Sequence, residues 1–217
     1  MSLLNSIYSR MYSHYGPQGW WPGDTPFEIA VGAILTQNVA WVNVSKAIAN
    51  LKEEKLVTPK KLAGADPDIV KSLIRPAGYY NQKAQTLRDF LSWFSRYRYS
   101  FPMLQKRDTD ELRRELIMIK RIGPETADSI LLYALERKLF VVDAYTKRIF
   151  SRVGVLNEEE GYQQVQEFFH RDFTGEIQEY NEYHALIVAH GKDVCKKNPL
   201  CDQCCIKTLC LQKGVTG

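Results

Sequence analysis

Residues Glu115–Leu131 read ELIMIKRIGPETADSIL. Within this stretch the chain closes one helix and opens the next. Leu112, Leu116 and Ile119 form an apolar stripe at helical spacing that ends near Ile119. Gly123 is expected to permit a sharp reversal. Pro124 can start a new helix, because the first turn has no use for its missing N–H. Ala127 is small enough for two helices to approach closely. The new helix begins with backbone N–H groups and a positive dipole end, a combination that suits a phosphate. Taken alone, the stretch fits a plain αα-hairpin as well as a DNA-binding one.

Working outward, helix punctuation is dense. Thr25-Pro26-Phe27-Glu28 combines an N-cap threonine, a proline at the first helical position and a glutamate at the third. Ile29, Gly32, Ala33 and Leu35 follow at helical spacing. Thr58-Pro59 and Asp66-Pro67 repeat the opening, and Asp108 with Glu111 makes a capping box. Asn157 with Glu160 is expected to open a further helix. Phe140-Val141-Val142 resembles a strand but is too short to seed a sheet. The pattern predicts an all-α protein of about ten helices, each roughly 8–18 residues long.

Composition narrows the class. The 217 residues are 45% hydrophobic and 25% charged, with a formal net charge of +4. These values suit a globular protein of one or two domains. No run approaches a membrane span, and residues 1–20 lack the apolar centre of a signal peptide. A cytoplasmic, reducing setting is expected, with no membrane partner. The charge is too small to declare a nucleic-acid binder, so DNA attraction must come from local patches.

All five cysteines lie between 195 and 210. Cys195, Cys201, Cys204 and Cys210 are spaced C-x5-C-x2-C-x5-C, and Cys205 stands outside the pattern. Four thiolates suit a [4Fe-4S] cluster or a tetrahedral zinc. Structural zinc usually shows two separate C-x2-C knuckles, whereas only one tight pair occurs here, which favours a cluster within a single loop. A disulfide framework is the remaining alternative, though a chain this long needs no staple. Upstream, Asp143 follows the apolar Val141-Val142 and precedes Ala144-Tyr145-Thr146. An aspartate so placed is commonly an N-cap and can also be catalytic.

Together these parts resemble the helix-hairpin-helix glycosylase superfamily typified by endonuclease III, over nearly the whole chain. Pro26–Asn38 resembles its first core helix with a glutamine-bearing turn at Gln37, and Ile119–Ala127 resembles the hairpin. Val142-Asp143 resembles the catalytic aspartate, and His184–Cys195 the helix that enters the cluster loop. The resemblance implies two helical lobes with a cleft between them. Residues 1–25 and 138–217 would form the lobe with the [4Fe-4S] loop, and 26–137 a six-helix core with the hairpin at 109–137. The expected partner is double-stranded DNA containing damaged bases, bound by a monomer associated with the nucleoid of a prokaryote.

This chain departs from the family in three places. The first cysteine gap holds five residues where endonuclease III has six. The first glycine of the family's G-x-G hairpin is Arg121 here. Glu125 occupies the position of the lysine that bifunctional members use, and a carboxylate cannot form the Schiff base that drives strand cleavage. Lys120 lies five residues earlier, across the turn. Trp20-Trp21-Pro22, Leu35–Asn38 and Arg75–Ala84 further resemble a bacterial 3-methyladenine DNA glycosylase branch, whose best-known type lacks the cysteines.

The implied activity is a monofunctional N-glycosylase for alkylated purines. Asp143 would be catalytic, and Trp20, Trp21, Trp41 and Tyr79 are candidates for a base pocket that stacks a cationic base. Gln37, Arg121, Ile122, Gly123, Thr126, Lys196 and Lys197 are candidates for DNA contacts. Core packing is the competing reading for the aromatics, and a solvated loop for the two lysines. The alternative within the fold is an endonuclease III-like glycosylase for oxidised or deaminated bases, with lyase activity. Outside the enzymes, an iron–sulfur DNA-binding or redox-sensing protein would use the hairpin only for docking; Asp143 argues against it.

Overall fold

The computed structural model describes residues 2–157 and 159–215. The chain divides into two units, Met1–Trp21 with Lys138–Gly217, and Pro22–Arg137. The first break thus falls at residue 22, four residues before the position expected from sequence. No strand occurs among the described residues, and Val141-Val142 is a buried extended connection.

The continuous unit is built around α2 (Pro26–Leu35), in which Phe27, Glu28 and every residue from Ala30 to Leu35 are buried. A helix apolar on all sides must be the centre of its unit. Around it run α3 (Trp41–Glu53), α4 (Pro59–Gly64), α5 (Pro67–Leu73), α6 (Tyr80–Ser95), α7 (Phe101–Gln105), α8 (Thr109–Ile117) and α9 (Pro124–Ser129). The last continues as a π-helical turn, Ile130–Ala134. Six of these helices are seven residues or longer, counting α9 with its extension; α4 and α7 are short proline-initiated pieces. Thr25 caps α2 by accepting from the Glu28 N–H at 3.1 Å, and Asp108 caps α8 through the Glu111 N–H at 3.0 Å.

The other unit holds α1 (Leu3–Tyr15), α10 (Ala144–Val153), α11 (Tyr162–Asp172) and α12 (Ile177–Asp193), followed by the cysteine loop. Its core is aromatic: Phe140 stacks on Phe169 with centroids 3.8 Å apart, and Phe150, Tyr180 and Tyr183 meet the pair edge-on. The Tyr183 hydroxyl donates to the Leu4 carbonyl at 2.9 Å, tying α1 to α12. Asn157 and Glu160 do not open α11. Their contact, Asn157 N–H to Glu160 Oε1 at 3.1 Å, closes a turn ahead of it. Gly161 is the cap residue, its own N–H satisfied by Gln164 Oε1 at 2.8 Å.

Two buried polar ties shape the continuous unit. Lys83 is 4% exposed and donates to the carbonyls of Leu35, Gln37 and Ala77 at 2.9, 2.9 and 2.7 Å. Burial lowers its pKa to about 8. The ammonium thus satisfies the carbonyl end of α2 and fixes the following turn. The second tie is Asp128 with Arg113, bidentate at 2.6 and 3.1 Å, joining α9 to α8. Replacing Lys83 with Met should orphan three carbonyls at once and cost about 2–4 kcal/mol. A urea-unfolding midpoint indistinguishable from wild type would show that the ammonium is dispensable.

Candidate functional site

Asp143 is the N-cap of α10. Its Oδ1 accepts from the Thr146 N–H at 2.7 Å and from the Thr146 hydroxyl at 2.9 Å. Its Oδ2 lies 3.6 Å from Nε2 of His184 on α12. Burial acts to raise the carboxyl, but His184 and the donors of Thr146 outweigh it and hold the group below the usual carboxylate range. The side chain remains ionised at neutral pH. The chemistry available here is a fixed negative charge rather than a strong base.

The cysteine loop sits at the other end of α10. Arg148 donates to the carbonyls of Cys195 and Gly191 at 2.9 and 2.8 Å. Arg152 reaches Cys195 Sγ at 3.3 Å and the carbonyls of Lys196 and Lys197. Cys195, Cys201, Cys204 and Cys210 line one pocket, together with Ile149 and Val194. Cys205 instead faces Ser9, Arg10 and His14. Among the described residues, no three His, Cys, Asp or Glu side chains converge to hold a single ion. The four cysteines share the lining of one pocket. Cys210 Sγ accepts from the Gln212 N–H at 3.4 Å, and His190 Nε2 lies 3.5 Å from Cys204 Sγ. Burial, with His14 nearby, lowers His190 to about 4, so its ring is neutral, and its Nδ1 contacts the Tyr15 hydroxyl at 2.9 Å. The donors that Arg152 and the Gln212 N–H aim at Cys195 and Cys210 suit thiolates that carry negative charge. A set of four cysteines lining one pocket fits a polynuclear thiolate centre.

On the continuous unit the hairpin turn differs from its sequence reading. Gly123 has φ −89° and ψ 179°, ordinary extended backbone. Arg121 takes the left-handed conformation instead, at φ 71°. Gln37 holds that conformation, its Nε2 donating to the Arg121 carbonyl at 2.9 Å and to Thr126 Oγ1 at 2.8 Å. A Cβ on Gly123 would meet nothing within 4 Å.

The model of the HhH-GPD superfamily of base excision DNA repair proteins matches residues 31–173. A protein of Methanocaldococcus jannaschii named as a DNA repair glycosylase is 49% identical over 213 residues, covering 97% of each chain. An endonuclease III of Sulfolobus acidocaldarius is 30% identical, over 97% of this chain and 96% of its own. Among solved structures, the H. pylori 3-methyladenine DNA glycosylase bound to 1,N6-ethenoadenine superimposes with a TM-score of 0.76 at 29% identity. The match covers 88% of this chain and 98% of that one.

The chain belongs to the HhH-GPD superfamily.

It is a DNA glycosylase of base excision repair, a hydrolase of N-glycosyl bonds. No helix among its described residues is long and apolar enough to cross a membrane. In this glycosylase the candidate residues fall into separate groups. Glu125 is exposed in the first turn of α9, and Lys120 is exposed before the turn. Ile122 is buried and its N–H is taken by the Ile119 carbonyl, while Thr126 is buried against Gln37. These two shape the turn, and Arg121 and Gly123 are its exposed members. Lys196 and Lys197 project into solvent from a backbone that Arg152 pins.

The aromatic candidates also separate. Trp20 and Trp21 pack against each other, centroids 5.1 Å apart at 63°, and Trp41 opens α3, half-buried. Tyr79 is 67% exposed with φ 44°, just after Gly78 at φ 64°. It sits on an exposed turn.

Sequence reasoning missed His184 as the neighbour of Asp143, Lys83 as a buried tie and the Arg113–Asp128 pair. Each is a long-range contact with no local pattern. It also missed why residue 191 is glycine. The Tyr145 ring lies on Gly191, where a Cβ would overlap it, and the Arg148 guanidinium covers the ring at 5.0 Å. Gly191→Ala should therefore push Tyr145 away and cost about 1–3 kcal/mol. Trimming the ring in Gly191→Ala/Tyr145→Ala should recover part of the lost melting temperature; strictly additive losses would place the strain elsewhere.

Proposed function

We propose that the chain is a monofunctional DNA N-glycosylase that releases an alkylated purine such as 3-methyladenine from duplex DNA. The observation that carries this reading is Glu125 in the exposed first turn of α9, where a strand-cleaving relative needs an amine. The likeness to the H. pylori enzyme supports the base class. The likeness to endonuclease III keeps oxidised or deaminated bases as the competing substrate.

A damaged nucleotide must leave the stack to be processed. A cationic base gains roughly 0.5–2 kcal/mol from each aromatic face it meets. Trp20, Trp21 and Trp41 are the proposed stacking residues. Such a base already carries the charge that makes it a good leaving group. The glycosidic electron pair goes to the base, a cationic sugar develops, and water adds at its anomeric carbon, releasing its proton to solvent. Asp143, ionised and anchored through Oδ1, places a negative charge opposite that cation and orients the water. Arg121, Gly123, Lys196 and Lys197 are the proposed phosphate contacts.

In an assay with duplexes each carrying one lesion, alkylated purine should be released and the abasic strand left intact. Asp143→Asn should lose on the order of 10²-fold in rate while keeping its DNA affinity. Efficient borohydride trapping of an enzyme–DNA adduct would refute the monofunctional reading, and full activity in Asp143→Asn would remove the catalytic assignment.

Cys195, Cys201, Cys204 and Cys210 are proposed to hold a [4Fe-4S] cluster, on the strength of their shared cavity and donor set. Bound there, the cluster would organise the loop that presents Lys196 and Lys197 and take no part in base release. Anaerobically purified protein should contain about four irons per chain. Cys205→Ser should leave the visible absorbance in place and Cys204→Ser should destabilise it. Stoichiometric zinc without iron would overturn the assignment.

A further inference from the structure

We propose that His184 is the positioning residue of Asp143, anchoring the carboxylate oxygen that the helix cap does not use. The proposal rests on the reading of Asp143 as catalytic. It starts from a contrast among the N-cap aspartates of this chain. Asp66 and Asp108 cap α5 and α8 through one oxygen each, and both are surface residues whose other oxygen serves no contact that capping requires. Asp143 caps α10 in the same way, through Oδ1. Its second oxygen, however, is held beside a histidine from a helix 41 residues further along the chain, and the two side chains are only 11% and 6% exposed.

A cap gains nothing from that arrangement. Burying an imidazole in an otherwise aromatic and aliphatic core is costly unless it has a polar partner. Tyr183 and Leu186, its neighbours on α12, are fully buried core residues. The Nε2–Oδ2 separation of 3.6 Å is a polar contact that a small movement converts into a hydrogen bond, as is common before a substrate is bound. Oδ1 is held by Thr146 and Oδ2 faces His184, so the carboxylate is bounded on two sides.

Other ionisable groups around this end of α10 are otherwise engaged. Lys147 gives its ammonium to the Glu160 carbonyl at 2.7 Å, and the Tyr162 hydroxyl from α11 faces the Val142 N–H at 3.3 Å. The Tyr183 hydroxyl is committed to Leu4. His184 is therefore the group on a neighbouring helix that bears on the charge of Asp143. The sign follows. A donor beside the second carboxylate oxygen favours the charged form, so His184 lowers the Asp143 pKa. Removing His184 must raise it.

The test follows Asp143 directly. The folded, cluster-loaded protein carries ¹³C-labelled aspartate carboxyls, and the Asp143 signal is the one lost in Asp143→Asn. His184→Leu should move its titration midpoint upward by about one pH unit. The acid limb of single-turnover base release should move with it, while affinity for duplex stays unchanged. His184→Gln places an amide donor at the reach of Nε2 and should restore most of the wild-type midpoint. His184→Asn, whose amide reaches only as far as Nδ1, should not. This Gln and Asn pair decides the matter if the leucine variant does not fold. An unmoved Asp143 midpoint in His184→Leu, or equal midpoints for the Gln and Asn variants, would overturn the proposal. Full activity in Asp143→Asn would instead sink the catalytic reading, and the titration would still report whether His184 sets the state of the carboxyl.

Discussion

Two arginines one turn apart, Arg148 and Arg152, hold the cysteine loop onto the helix that Asp143 caps. Their guanidinium groups take the carbonyls of Gly191, Cys195, Lys196 and Lys197. Hydrogen bonds from a charged donor contribute about 1.5–3 kcal/mol each, roughly twice a neutral pair. They also meet carbonyls at the end of α12, where a helix has no donors of its own and favours positive charge. The loop is therefore a rigid extension of α10 and α12. Any group bound by the four cysteines would stiffen the frame that carries Asp143, without lying in the path of the reaction.

The continuous unit solves an equivalent problem with one lysine and one glutamine. α2 is buried on almost every side, so its carbonyl end cannot be left to water. The Lys83 ammonium supplies three donors there and fixes the turn that carries Gln37. Gln37 in turn holds Arg121 in a left-handed conformation that costs a non-glycine residue about 1 kcal/mol or more. The hairpin's shape thus depends on Gln37, 84 residues earlier in the chain. Asp128 and Arg113 close the arrangement from the helix side.

This explains what was legible in the sequence. The caps at Thr25, Asp66 and Asp108 were readable because a cap is a contact over two or three residues. The four cavity-lining cysteines were readable because their spacing sets them apart from Cys205. Asn157 and Glu160 misled because Gly161 and Gln164 offer the same chemistry a few residues later, and the chain uses that pair for the helix. Gly123 misled because the glycine rule identifies residues that can turn, while Gln37 makes Arg121 do so. Tyr79 was a candidate for stacking a base or for core packing; the left-handed turn after Gly78 exposes its ring and excludes the core. His184 could not be found locally, since nothing near it in the chain refers to residue 143.

The polar groups gathered at Asp143 match the chemistry proposed for it. An enzyme that splits strands must lower a lysine's pKa so that a neutral amine can attack. This chain has a carboxylate at that position and places its one deeply buried lysine among three carbonyls, occupied with structure. Its buried polar contacts around α10 instead keep one aspartate ionised and oriented. A carboxyl held below its ordinary range is a poor proton acceptor and a good fixed charge. That trade suits a leaving group that is already cationic, for which little proton transfer is needed and the forming sugar cation is the main charge to be met. A neutral oxidised base must gain a proton as it leaves, so that substrate class would need a proton donor other than Asp143.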